Sequence, residues 1–332
     1  MTTITRAVGW MVAVPLATGW STVGTLTAID EPDSSPPATT PTSEQRVYAE
    51  NFPDPHVIAD GETFYAYATN GDAGNMPVIR STDTQTWEAA GDAMPELAPW
   101  VFAGRTWAPG VIAIDDSFVA YYTAAQLGTG LQCVGRAIAD DPEGPFVDDS
   151  TEPLVCQEEE GGSIDASPFR DSDGSLYLYW KNDGNCCGLD TWLYGQRLTD
   201  DGLSLTGEPV RLLGQDAEWE GEVVEAPFMW ANDGQLYLFY SGNAFDSPDY
   251  AVGYATCDGP LGPCEKAAEN PILSTSAVAE GPGHNSVVEF DGRTWIVYHA
   301  WPPDFFASSD VRSMWVSELT WQNGRPVVDG PR

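Results

Sequence analysis

The chain has 332 residues, enough to bury a substantial core as one large domain or two modest ones. Fourteen basic residues stand against fifty acidic ones, a formal charge of -36. That balance argues against nucleic acid, which is gripped through Lys and Arg on phosphates, and it disfavours anionic membranes and acidic polymers. No EF-hand or nonapeptide calcium repeat organises the acids, so they read as a highly solvated surface of the kind that keeps proteins soluble at high salt.

Residues 1–28 place Arg6 before the apolar stretch AVGWMVAVPLATGW. This is the pattern of an export signal or, in the alternative, of a retained N-terminal anchor; its shortness against a spanning helix favours secretion. A Pro/Ser/Thr-rich linker with nothing to bury follows over 29–46, and the folded domain is expected to begin near Val47 and run to 332. Six cysteines fit an oxidising compartment. Cys257 and Cys264 flank the tight DGPLGP turn, Cys133 and Cys156 bracket a loop, and Cys186-Cys187 then remain as a vicinal pair, one connectivity among the 15 allowed. No CxxC pair with a matching partner suggests zinc.

One segment recurs five times: ADGETFYAYAT, IDDSFVAYYTA, SDGSLYLYWKN, NDGQLYLFYSG and FDGRTWIVYHA. Each opens on a turn acid (Asp60, Asp115, Asp173, Asp233, Asp291), at intervals of 55, 58, 60 and 58 residues. Seven positions after each acid stands an aromatic: Tyr67, Tyr122, Trp180, Tyr240 and Tyr298. An acid turn between β-patterned runs is a hairpin signal. A unit of this length holding about four strands is a propeller blade. The expectation is therefore an all-β fold, a single five-bladed β-propeller.

The segment upstream of each acid should be the innermost strand of its blade. Four of these carry Pro55, Pro109, Pro168 or Pro227, with Asp54, Trp107, Asp165 and Glu225 beside or just before it; the fifth carries His284. Three carboxylates are thus expected to converge on the central channel, an arrangement suited to glycoside hydrolysis, which needs a proton donor and a base or nucleophile. Glu225, between Val223-Val224 and Ala226-Pro227, is expected to be held protonated by apolar surroundings. Asp54 is expected to be an ionised base, and Asp165 to stay ionised between them and orient Glu225. Trp107 and Trp219 are expected to stack on sugar rings. Glu218, Glu220 and Glu222 read as solvated loop acids, and His299 as a channel residue or a satisfied core histidine.

DPHVI, WAP, SIDASPFRD, VEAPFM and GPGHNS, in this order, resemble glycoside hydrolase family 43 from about Asn51 to Trp321. The resemblance implies a five-bladed propeller and an inverting mechanism on arabinofuranosides or xylosides; with the export pattern and the cysteines, the expectation is a secreted monomer acting on pentose polysaccharides or oligosaccharides. Asp54 matches the general base, Asp165 the acid that tunes pKa and orientation, and Glu225 the general acid. Arg312 matches an arginine that reaches substrate hydroxyls. His284 matches the histidine near an axial ion, usually Ca2+, that the chemistry itself does not require. Ala166 stands where many members have Pro, and Gly110 where many carry a polar residue, which puts substrate contacts there in doubt. No β-sandwich of the kind many xylosidases in the family carry follows, which tilts the expectation toward an α-L-arabinofuranosidase. The alternatives are a β-xylosidase, an endo-α-1,5-arabinanase or a non-catalytic carbohydrate-binding propeller.

Overall fold

The computed structural model describes residues 44–303 and 311–330. The export segment or anchor at 1–28 and all but the end of the 29–46 linker lie outside the described residues. The fold begins earlier than Val47: Glu44–Tyr48 already forms a strand, β1. Blade 1 follows with β2 (His56–Asp60), β3 (Thr63–Tyr67), β4 (Pro77–Ser81) and β5 (Glu88–Asp92). Blade 2 holds β6 (Val101–Ile114), β7 (Ser117–Gln126) and β8 (Gln132–Ala139); bridges from β8 to Val147 and Val155 take the place of a fourth strand. Blade 3 is β9 (Ser163–Arg170), β10 (Leu176–Asn182), β11 (Trp192–Leu198) and β12 (Leu205–Gly214). Blade 4 is β13 (Val224–Asn232), β14 (Gln235–Gly242), β15 (Ala251–Cys257) and β16 (Cys264–Lys266). Blade 5 contains β17 (Glu280–Phe290), β18 (Arg293–Trp301), β19 (Ser313–Gln322) and β20 (Arg325–Val328).

Every blade is antiparallel, and in each the first strand pairs with the second. The first strands β2, β6, β9, β13 and β17 touch one another in a closed ring. Strand β1 pairs with β19, so both ends of the described chain build blade 5 and close the circle. This is why the last linker residues are ordered: their backbone groups complete an otherwise open sheet edge.

The repeated acids mark the hairpins between first and second strands, as the spacing predicts: four stand in the turn and Asp60 ends β2 just before it. Asp115, Asp233 and Asp291 have φ of 52°, 49° and 52°, the left-handed backbone that tight hairpins require and Asp tolerates. The repeated aromatics are all buried, and each finds a partner for its polar atom. Tyr67 donates to the Pro142 carbonyl, Tyr122 to Asp148, Trp180 to Gln157 and Tyr240 to Glu220, while Tyr298 pairs with Ser317. The period is thus a packing period, set by one large ring per blade.

Disulfides join Cys133–Cys156, Cys186–Cys187 and Cys257–Cys264. The last staples the short β16 to β15, where the two cysteines face each other in register.

Candidate active site

On, or in blade 1 just before, each inner strand one non-glycine residue takes left-handed backbone: Asp54 (φ 57°), Ala108 (42°), Asp165 (59°), Ala226 (54°) and His284 (49°). In blades 2 to 5 the pairing with the second strand slips at the same place, a β-bulge that re-aims the neighbouring side chains. Such backbone costs about 1–2 kcal/mol at a residue with a Cβ, and strain of this kind gathers at functional sites. The structural register therefore differs from the Pro-based alignment. Asp54, Asp165 and His284 are equivalent, whereas Trp107 and Glu225 stand one residue earlier, before Ala108 and Ala226.

The bulges bring the three acids together all the same. Asp54, Asp165 and Glu225 line one cleft of about 410 Å3 with Trp107, Arg312 and His284. Trp219 is not among the lining residues. It packs inside blade 4, over Gly242 and Gly253 and against Tyr240, with ring centroids 5.5 Å apart. Loop position in the sequence concealed this, because the two glycines that make room for the indole lie on other strands. Glu220 is likewise no solvated acid: it is fully buried and accepts from Tyr240, Lys266 and two backbone N–H groups. Gly110 does not line the cleft; a Cβ there would meet the Ala166 carbonyl at 2.3 Å, so the glycine permits the close approach of blades 2 and 3.

Asp54 is held from several blades. Arg312 Nη1 lies 2.8 Å from Oδ1, and Thr69 Oγ1 donates to Oδ2 at 2.5 Å. Burial raises this carboxyl, but Arg312 and then His284 outweigh it and hold Asp54 well below the usual carboxylate range. His284 Nδ1 stands 3.4 Å from Oδ1. His299 is fully buried, and burial lowers it to about 4, so the ring is neutral at pH 7. Its Nδ1 accepts the Asp54 N–H at 3.1 Å, and its 3.2 Å approach to Oδ1 is therefore no salt bridge. Arg312, expected to reach substrate hydroxyls, also grips the base; its guanidinium lies over Phe245 at 4.8 Å.

Glu225 departs from expectation. Its sequence neighbours are buried, yet the carboxylate is met by Lys181 Nζ at 3.0 Å on Oε2 and by Tyr250 OH at 2.7 Å on Oε1. Burial pushes its pKa up, but the Lys181 charge and these two hydrogen bonds win, and Glu225 sits below its ordinary value. Asp165 moves the other way, to about 6, through burial first and the Glu225 charge beside it. Asp165 Oδ2 accepts the Ala226 N–H at 3.0 Å, which ties the two acids' strands together. Asp183, also in the cleft, is raised to about 6 mainly by burial. Of the two, burial favours the protonated form at Asp165, while Lys181 favours the ionised form at Glu225. Apolar neighbours along one strand said nothing about the cation arriving from the next blade.

Sequence reading missed Lys181, Tyr250, Asp183 and Thr69. A signal for Lys181 existed: it follows the repeated aromatic Trp180, at the position of Thr123, Ser241 and His299.

Beneath the cleft, the residues after each bulge, Pro55, Pro109, Ala166, Pro227 and Asn285, face an axial cavity of about 10 Å3 that Ser167 and His284 also line. Calcium takes six to eight oxygens. Here the side-chain donors are two imidazoles (His56 and His284), a carboxamide, a hydroxyl and Asp165, and among the described residues no cluster of three or more His, Cys, Asp or Glu could hold a metal. The cavity has room for about one water, and both polar atoms of Asn285 and the Ser167 hydroxyl lack protein partners. These donors do not fit the calcium site expected beside His284, and no step below passes through an ion.

Residues 44–326 match the profile described as Glycosyl hydrolases family 43. The β-D-galactofuranosidase xynD of Aspergillus niger is 30% identical over 60% of this chain and 58% of its own length. An extracellular exo-α-(1→5)-L-arabinofuranosidase of Streptomyces chartreusis is 27% identical over 86% of this chain and 90% of its own. Other relatives carry the name xylosidase/arabinosidase. The crystal structure of a thermostable family-43 glycoside hydrolase superposes with a TM-score of 0.77 at 31% identity, over 85% of this chain and 93% of that one. With its ring of five blades and three acids in one cleft, the chain belongs to glycoside hydrolase family 43 and is a glycosidase of that family.

Proposed function

We propose that the protein is a secreted, inverting exo-acting α-L-arabinofuranosidase in which Asp54 is the general base, Glu225 the general acid and Asp165 the residue that tunes and orients it. The observation that carries this reading is the division of the acids by environment. Asp54, gripped by Arg312, is fit to take a proton from water, whereas Asp165, raised to about 6 by burial and the Glu225 charge, forms with Glu225 a buried pair able to share one proton. In hydrolysis that proton passes to Glu225 and then to the departing glycosidic oxygen, while Asp54 deprotonates water on the opposite face of the sugar. Trp107, half-buried in the cleft wall, offers an aromatic face to the ring. The furanosidases among the relatives support the sugar, and three disulfides support an oxidising, extracellular setting.

Aryl α-L-arabinofuranoside, aryl β-D-xyloside and linear arabinan, with product anomers followed by NMR, test the reading. Cleavage of the arabinofuranoside with inverted product is expected. Exclusive turnover of the xyloside, for which the xylosidase/arabinosidase relatives speak, would replace the sugar, and endo-cleavage of arabinan would replace the exo mode. Binding of all three without turnover would make the propeller a lectin. Glu225→Ala should slow poor leaving groups by about 10²–10⁴-fold and spare activated aryl glycosides; equal losses on both would remove its acid role.

A further inference from the structure

Four of the five blade junctions share one hydrogen bond. The N–H of the left-handed residue on, or just before, one inner strand donates to a side chain late in, or just after, the second strand of the preceding blade. Asp54 donates to His299 Nδ1 (3.1 Å), Ala108 to Thr69 Oγ1 (2.9 Å), Asp165 to Thr123 Oγ1 (3.1 Å) and His284 to Ser241 Oγ (2.8 Å). The junction between blades 3 and 4 breaks the pattern. Its second-strand residue is Lys181, whose ammonium has three donors and no acceptor. The Ala226 N–H turns instead to Asp165 Oδ2.

A lysine here is costly twice over: it forfeits the junction acceptor and buries a charge. Its side chain is wholly inaccessible, and its Nζ is shared between Glu225 Oε2 at 3.0 Å and Asn185 Oδ1 at 2.7 Å. The other charged and titratable groups facing the pair are Asp54 from the entry to blade 1, Asp165 and Asp183 from blade 3, Tyr250 from blade 4 and His284 from blade 5. Lys181 is the cation closest to Glu225.

We propose that Lys181 is a positioning residue for the reaction: it replaces the junction acceptor with an ammonium that fixes the Glu225 carboxylate at the cleft floor and sets how tightly the Asp165–Glu225 pair keeps its proton. The assignment rests on Glu225 being the general acid. The sign follows directly, because a nearby positive charge favours the ionised form of both carboxyls. Without it the pair holds its proton to higher pH.

Lys181→Thr tests this, since it restores the acceptor that blade 2 has in Thr123; Lys181→Met, closer in volume, serves the same test should the threonine variant not fold. Lys181→Arg keeps the charge. The basic limb of the pH–kcat/KM profile should rise by about one unit or more in the neutral variants and stay in place in Lys181→Arg. On unactivated arabinosides the neutral variants should lose kcat about tenfold or more, with less than threefold loss on an activated aryl glycoside. A basic limb unmoved in a folded neutral variant would overturn the proposal and leave Lys181 a structural residue. Failure of the underlying reading is separable, because Glu225→Ala would then show no leaving-group dependence in otherwise wild-type protein.

Discussion

Replacing Arg312 with Met tests the ionised state of Asp54. Arg312 Nη1 sits 2.8 Å from Asp54 Oδ1, and both side chains are nearly buried, at 15% and 11% exposure. Charge centres about 4 Å apart interact by about 4 kcal/mol at an effective dielectric near 20, or about 3 pKa units as an upper bound. The Thr69 hydroxyl at 2.5 Å remains, as does His284 at 3.4 Å, so a shift of about 1–2 units is expected. Asp54 is depressed in the folded protein, so its base form is lost as pH falls through the folded value. Removing Arg312 raises that value, and the acid limb of kcat/KM must move to higher pH. Met keeps an apolar chain of similar length and removes the guanidinium, which also lies over Phe245. The assay is a pH–rate series on an activated aryl arabinofuranoside, which needs the base and not the acid. An acid limb that stays in place while KM rises would show that Arg312 serves substrate hydroxyls alone and that Asp54 owes its ionisation to other groups.

The two tryptophans should separate cleanly. Trp219→Ala is expected to cost about 3–5 kcal/mol of stability, read as a fall in Tm, with KM nearly unchanged, because the indole fills blade 4. Trp107→Ala should raise KM several-fold with little change in Tm; the reverse pattern in either variant would contradict its placement. Exhaustive chelation should change kcat/KM less than twofold, given the donors of the axial cavity. A tenfold loss restored by calcium would reinstate an ion beside His284.

Much of this protein was legible in one dimension, and the reason is periodicity. A blade repeats one hairpin and one buried ring, so Asp turns and the aromatics from Tyr67 to Tyr298 print the fold into the chain at a fixed spacing. The same repetition exposed Asp54, Asp165 and Glu225 as charges on inner strands, and radial symmetry makes such positions converge. What the repeat did not print is the contact that departs from it. Lys181 reaches Glu225 across the junction of blades 3 and 4, and Trp219 fills space left by glycines on other strands. The bulges shift Trp107 and Glu225 by one residue from their apparent equivalents, and β1 closes blade 5 from the far end of the chain. Sequence determined which groups arrive at the axis. Tertiary structure decided their protonation, because a buried carboxyl answers to the charges around it in space, whichever residues precede it in the chain.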